Sequence, residues 1–193
     1  MQIGPGTRVW DNVHIRRGAR VGRDCIVGEK TYVAYDVEIG DLVKINAFVY
    51  ICAGVTIERG VMVSAGTIFT NDRYPRATTP ELDALLTSDP TEETLSSRVC
   101  EGATLGAGSR IGPGITVGRF AMVGMGAVVT RNVPDFHLVV GSPARSVGIV
   151  CRCGHLLRRI EVGRGTQGIL ACERCARRYE ASAGPVRELV AVA

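Results

Sequence analysis

The sequence predicts an all-β chain wound as a parallel β-helix, with one protruding loop and a small cysteine-bearing module near its carboxyl end. Three observations carry this. Reading from Ile3 in steps of six gives Ile3, Val9, Ile15, Val21, Val27, Val33, Ile39, Ile45, Ile51, Ile57, Val63 and Phe69, and the phase returns at Val99, Leu105, Ile111, Val117, Val123 and Val129. Glycine repeatedly follows the apolar residue, as in Val21-Gly22, Ile39-Gly40, Leu105-Gly106 and Val117-Gly118, and Gly, Asn and Asp supply turn conformations that other residues resist. Only 5% of the 193 residues are aromatic, which suits short strands and tight turns better than helices packed on aromatic anchors.

Each hexad then contributes one short strand, with its aliphatic residue turned inward, and one turn. Four residues after each aliphatic comes a small or β-branched partner, for example Val13, Ala19, Cys25, Thr31, Val37, Val43, Val49 and Val55. Arg73 is the first break in that series. Residues 75–98 have no six-residue phase, and because the same phase resumes at Val99 they read as an ejected loop. Excursions longer than about 12–15 residues inside a compact repeat are usually functional or disordered. Within the loop, Glu81 to Leu86 has the composition of a helical turn.

The repeat occupies residues 1–147, a small module 148–182, and a tail 183–193. A solenoid leaves open strand edges at its ends, which must be covered, and the stretch after Val129 offers the cover. The net charge of +4 is modest, and much of it comes from arginines after Gly148, so it does not call for nucleic acid. No apolar run approaches membrane-spanning length and the first residues do not resemble a secretion signal, so the expected location is cytoplasmic, with no membrane partner.

Of the seven cysteines, four cluster late as Cys151, Cys153, Cys172 and Cys175. The pairing of a C-x-C with a C-x-x-C approximates a two-knuckle zinc ribbon, and four thiolates complete a closed tetrahedral shell with no open position for catalysis. His155 replacing one cysteine is an alternative donor. A tail this short needs such a tie to fold. Arg152, Arg158, Arg159, Arg164, Arg174, Arg177 and Arg178 would give it a basic surface.

The segments FTNDRYPR (Phe69–Arg76), VWDNVHIRRGARVGRDC near the start, and GATLGAGSRIGPGITVGRFAMVGMGAVVTRNVPDFHLVVGSPAR later resemble those of the hexapeptide-repeat acyltransferases, in particular the nucleotide-linked 3-amino-sugar N-acetyltransferases. The resemblance implies a left-handed triangular prism with eighteen residues per coil. It also implies acetyl-CoA as cosubstrate, an amino sugar as acceptor, and a homotrimer whose loop leans over a cleft between subunits. By position, Asn71 matches the residue that contacts the reacting amine, and Trp10 and His14 match a W-x-x-x-H-I segment near the site, where His14 is the alternative base. Asp72, Tyr74 and Arg76 fall in the sugar-binding element. Pantetheine would run past Ala107 and past Gly124, Met125, Gly126 and Ala127, with Arg131 and Arg145 meeting CoA phosphates, since guanidinium forks suit them. Ala53 stands where the family often carries Glu, and Asp11 where it has His.

An alcohol acceptor needs a general base, because its proton must leave as the new bond forms. The loop contains no histidine. An amine near its ordinary pKa of about 7.7–8.0 is partly neutral and attacks unaided. The leading expectation is therefore an N-acyltransferase; the alternatives are an O-acetyltransferase of a sugar or small metabolite, or a non-enzymatic binding protein. Cys52 and Cys100 read as surface thiols near the cleft.

Overall fold

In the computed structural model, described here for residues 1–160, 166–182 and 184–189, the chain is all-β, with no helix among the described residues. Eighteen two-residue strands, β1 (Gln2–Ile3) to β18 (Val128–Val129), wind a left-handed parallel β-helix of hexapeptide repeats. They form three faces. Face one begins at Gln2–Ile3, face two at Arg8–Val9 and face three at His14–Ile15, and each strand pairs in parallel with the strand eighteen residues on, as in Gln2↔Arg20 and Arg8↔Ile26.

The hexad phase fixes what is inside. Val27, Val33, Ile45, Ile51, Val63, Val99, Leu105 and Val117 are fully buried, each burial favouring the fold by about 1.5–3 kcal/mol. Their partners four residues on, including Ala19, Val37 and Val55, fill the corners. At every corner of the coils except those at Asp72 and Asn132 the second turn residue adopts the left-handed conformation, and Gly, Asn or Asp commonly takes it. Lys30, Leu42, Phe48, Phe120 and Phe136 take it with full side chains, at about 1–2 kcal/mol each. Packing offsets part of that strain: the Lys30 ammonium lies 5.1 Å from the Phe48 ring centroid, and Phe136 stacks on Phe120 at 5.6 Å.

The excursion leaves the register intact. Thr56 pairs with Arg98, 42 residues on rather than eighteen, so 24 extra residues are looped out of one coil. Arg98, assigned to the loop by the hexad count, already lies in strand β13 (Arg98–Val99). The re-entry is clamped by Glu58, whose carboxylate accepts from the Arg98 guanidinium at 2.7 Å and from the Glu101 N–H at 2.8 Å. Between Glu81 and Leu86 the structure replaces the expected helical turn with a small hairpin. Thr78 and Leu85 form an antiparallel bridge, Thr79 N–H donates to the Ala84 carbonyl, and Leu82 has φ 60°. A polar turn tied by the Thr79 hydroxyl to Asp83 at 2.6 Å gains more than a single uncapped helical turn.

The carboxyl end is covered by a hairpin. β19 (His137–Gly141) pairs in parallel with Met122–Val123 and extends face two. β20 (Ala144–Val150) returns antiparallel, and β21 (Leu156–Arg159) pairs with it. β22 (Gly168–Ala171), β23 (Arg178–Ala181) and β24 (Val186–Leu189) make a separate antiparallel sheet. The stretch read as a tail thus supplies β24. A second core of Phe136, Ile149, Cys151, Leu170, Cys172, Tyr179, Ala181 and Val186 lies between this sheet and the last coil.

His137 ties the parts together. Its Nε2–H donates to the Gly184 carbonyl at 3.1 Å, which leaves Nδ1 to accept from the Ser146 hydroxyl at 2.9 Å. Burial pushes its pKa below the ordinary value, against the opposing pull of the Gly184 carbonyl and Asp135. The neutral ring therefore contributes stability that is present above about pH 6.5 and lost as pH falls from there through the depressed folded value. Urea midpoints should drop between pH 7.5 and 5.5, with a flatter profile for His137→Gln; equal slopes would remove the assignment.

Gly102 and Gly60 both have positive φ, but a Cβ at Gly102 would lie 2.2 Å from the Phe120 ring, whereas at Gly60 it meets nothing within 4 Å. Gly60→Ala is expected to cost about 1–2 kcal/mol. Gly102→Ala should cost a further 1–3 kcal/mol or so for the collision, measured by denaturant unfolding.

Candidate functional site

The three edges of the prism are built from the turns between its faces, and the candidate residues sort onto them. The edge from face three to face one carries Tyr35, Ala53 and Asn71 in successive coils, which places Asn71 over Ala53 as the eighteen-residue stacking requires. The loop departs immediately after Asn71. It folds back at Leu95, whose N–H donates to the Asn71 carbonyl at 3.0 Å.

Between this edge and the underside of the loop lies a cavity of about 470 Å³. Its floor is Tyr32, Tyr35, Tyr50, Cys52 and Ala53, its wall Asn71, Asp72 and Arg76, and its roof Leu85 to Thr91. Asn71 is half-buried, and among the described residues nothing hydrogen-bonds its carboxamide. Both the acceptor oxygen and the donor nitrogen are thus free for a ligand. A second cavity of about 530 Å³ lies on the other side of the strand exit, lined by Asp72, Arg73, Tyr74 and Arg76. The FTNDRYPR segment is therefore a partition: Asn71 faces one side, Tyr74 the other, and Asp72 and Arg76 reach both.

The aromatic floor is the part that sequence reasoning missed. Tyr32 and Tyr50 stack outward on face three with centroids 5.2 Å apart and planes 6° from parallel, and His14 continues the ladder at 6.4 Å from Tyr32. Arg16 closes its lower end, donating Nε–H to the Tyr32 hydroxyl at 2.7 Å and lying 5.3 Å from the Tyr32 centroid and 5.6 Å from that of Tyr35. The signal was available: 14, 32 and 50 are eighteen apart and each directly precedes an inward aliphatic. His14 itself does not line the cavity, and Trp10 lies exposed on a different edge.

Cys52 is buried at the cavity floor rather than being a surface thiol. Burial pushes its thiol up to about 12, and Asp72 adds to the shift. Cys100, half-buried, is also raised, first by desolvation and then by Glu58. Neither offers a thiolate nucleophile near neutral pH.

The edge from face two to face three carries Ala107, Met125 and Gly126. Gly126 N–H donates to the Ala107 carbonyl at 2.9 Å, continuing the coil ladder. The N–H groups of Ala107 and Met125 have no main-chain partner among the described residues. Met125 is 82% exposed, while Ala127 turns fully inward, so only its backbone can face a ligand. β19 lays Val140 over Gly124, and Arg145, paired with Val140, extends this edge by one rung. Arg131 does not join it; it sits on the Asn71 edge, beyond the loop.

The four module cysteines converge. Their sulfurs all lie within 4.8 Å of one another, with Cys151 to Cys175 at 3.3 Å and Cys153 to Cys172 at 3.7 Å. A tetrahedral zinc with Zn–S bonds near 2.3 Å needs sulfurs roughly 3.8 Å apart, so the donor set fits such an ion. His155 is not among the donors; its carbonyl accepts from the Cys151 N–H at 2.7 Å. The Tyr179 hydroxyl bonds to Cys151 Sγ at 3.1 Å and accepts from Arg152 N–H at 3.0 Å, a support shell typical of metal ligands. Of the basic residues expected here, Arg152 and Arg177 both pair with Glu188, and Arg164 lies outside the described residues.

Comparison with known proteins agrees with this architecture. Residues 1–34 match the bacterial transferase hexapeptide (six repeats) model, and residues 98–131 the hexapeptide repeat of succinyl-transferase. Over 92 residues the chain is 36% identical to dTDP-3-amino-3,6-dideoxy-α-D-galactopyranose 3-N-acetyltransferase of Aneurinibacillus thermoaerophilus, a match covering 48% of this chain and 44% of that protein. The match thus spans a little under half of that relative. The fold is shared with an N-acyltransferase from Bacillus cereus solved with dTDP and 3-hydroxybutyryl-CoA (TM-score 0.68, 18% identity, 79% of this chain and 84% of that one). It is also shared with GDP-perosamine N-acetyltransferase from Caulobacter crescentus (TM-score 0.59, 24% identity, 74% and 56%).

With its thiol so far above neutrality, Cys52 should resist alkylation in the native chain at pH 8 and react on unfolding, as read by mass spectrometry; rapid native labelling would contradict the buried placement. The repeats and their register make the chain a left-handed parallel β-helix of hexapeptide repeats, similar over about half its length to an amino-sugar N-acetyltransferase.

Proposed function

We propose that the chain is a CoA-dependent N-acyltransferase that acetylates the amino group of a nucleotide-linked amino sugar. The observation that carries this is the cavity under the ejected loop, where the free carboxamide of Asn71 faces a tyrosine floor and no histidine lines the wall. Such a site positions a nucleophile without a histidine base to deprotonate it, which suits an amine. The similarity to a dTDP-amino-sugar N-acetyltransferase supports the substrate class.

In this reading the neutral amine attacks the thioester carbon directly. The Asn71 carbonyl oxygen accepts from an amine N–H and aims the lone pair, a positioning role. As the tetrahedral centre collapses, the C–S bond breaks and the proton passes from nitrogen to the departing CoA sulfur. The N–H groups of Ala107 and Met125 are available to the donor, and to the carbonyl oxygen as it gains charge. Arg145 takes a phosphate at the end of the same edge, and Arg76 and Asp72 contact the sugar.

The acceptor cavity and the donor edge flank face three of one chain. A homotrimer that sets the donor edge of one subunit against the Asn71 edge of the next would bring them together, and Trp10, Tyr74 and Arg131 would be at or near such contacts. The cysteine module holds a structural zinc through Cys151, Cys153, Cys172 and Cys175, and thiolate ligation fits a reducing, cytoplasmic compartment. Among the described residues no helix is long and apolar enough to cross a membrane.

Asn71→Ala should lower kcat by about 10²-fold while leaving the Kd for CoA unchanged, measured by thiol release across nucleotide-linked amino sugars. His14→Ala, outside the cavity, should retain most of the turnover. Unaltered kinetics for the Asn71 variant, or turnover on the corresponding alcohols but not the amines, would overturn the reading.

A further inference from the structure

We propose that the four-cysteine knot is a clasp that positions the β19–β20 hairpin, so that metal loading of the module sets the affinity of the donor edge for CoA. The inference rests on the assignment of that edge to the donor.

The geometry makes the connection continuous. β19 starts at His137, immediately after Phe136 on the edge between faces one and two. It crosses face two and ends at Gly141, above the edge that carries Gly124, Met125 and Gly126. β20 runs back the same way and ends at Val150, whose N–H donates to the Phe136 carbonyl at 2.8 Å. Cys151 is the next residue. The hairpin therefore has one end in the donor edge and the other in the metal knot.

At the knot end several supports of the hairpin also touch a ligand or its neighbour, beside the His137 bonds and the pairing with β21. The Tyr179 hydroxyl joins Cys151 Sγ and Arg152 N–H. The Tyr179 ring, fully buried, meets Phe136 edge-on at 5.2 Å, and Phe136 stacks on Phe120 of the last coil. The Arg152 guanidinium covers the outer side of Phe120 at 4.5 Å. Cys151 and Cys172 are themselves members of the core that covers the solenoid end. Without a cation nothing ties Cys151 Sγ to the sulfurs of Cys153, Cys172 and Cys175, and β20, which ends one residue before Cys151, would lose that anchor.

At the other end β19 is held as far as Val139, whose carbonyl accepts from the Gly124 N–H at 2.8 Å, and the tip beyond it has little else to hold it. Val140 rests on Gly124, where a side chain would collide with it at 2.7 Å, and Gly141 to Arg145 are exposed or half-buried. Small displacements of the hairpin tip therefore move Arg145 and Val140 relative to the donor edge without disturbing the coils beneath.

The test uses the full chain, zinc-loaded and then stripped with a chelator under reducing conditions, with metal content measured in both. Stripping should weaken CoA binding about tenfold and raise amide exchange across His137–Val150, leaving exchange in the coils of residues 20–69 unchanged. Donor KM should rise, with kcat at saturating CoA retained. Cys153→Ser, which alters an exposed ligand, should reproduce these changes without opening a core cavity. Tyr179→Phe keeps the ring and removes the hydroxyl, and should weaken zinc binding by about 10- to 100-fold. A chain that takes up no zinc, or a stripped chain with unchanged CoA affinity and unchanged exchange in His137–Val150, would overturn the clasp. A loaded chain that fails to bind CoA would instead overturn the donor assignment, and the exchange measurement would then decide the clasp alone.

Discussion

One inward aliphatic side chain per hexad, stacked on its counterpart eighteen residues away, is the constraint on which the rest of the molecule depends. Each strand of the coils is only two residues long, too short to hold a register by its own hydrogen bonds. The inward column does that work, because slipping by one residue would turn every aliphatic outward. Once the register is fixed, every outward position and every turn residue has a determined place on a face or an edge. Function can then be assigned to edges rather than to isolated residues.

This explains how a 24-residue insertion is accommodated. The loop leaves at a corner, where the chain must turn in any case, and re-enters on the rung where its strand would have lain. The closing hydrogen bond from Leu95 to Asn71 and the Glu58 clamp on Arg98 and Glu101 define the two ends. The coils beneath are unaffected, so the loop can carry a cavity roof with no cost to the core. The candidate site lies where the repeat is interrupted, because the ejected loop roofs an otherwise convex edge.

Much of this was legible in the sequence, and the limits are physical. The coils, the face assignment of each hexad and the stacking of Asn71 over Ala53 follow from a period that a single sequence displays in full. The tyrosine floor obeys the same period but in outward positions, where hexad reading looks for nothing. The hairpin at Thr78–Leu85 was misread because local composition permits both a helical turn and a tight strand reversal over so few residues. Arg131 and Arg145 looked alike as exposed arginines after the last repeats. Only the corner each occupies separates them, and the corner of Arg145 depends on a strand that breaks the hexad pattern. The convergence of the cysteines was suggested by spacing, but their union with Tyr179 and the end of the solenoid required the fold.

The absence of a carboxylate beneath Asn71 has a consequence for how the cavity discriminates. With Ala53 there, Asp72 remains the acidic group on the wall, and the floor consists of tyrosine rings with an arginine behind them. A ring floor favours flat or apolar surfaces and places hydroxyls, not charges, against the acceptor. The Tyr32–Tyr50 ladder is braced from below by Arg16, and a braced floor lowers the ordering cost of binding. In the proposed reaction the chemistry asked of Asn71 is modest, and the selection between amines would fall to these aromatic neighbours. Substitutions at Tyr32 or Tyr50 should therefore change which acceptor is taken more than how fast a good acceptor reacts, since they alter the fit of the sugar and not the approach of nitrogen to the thioester.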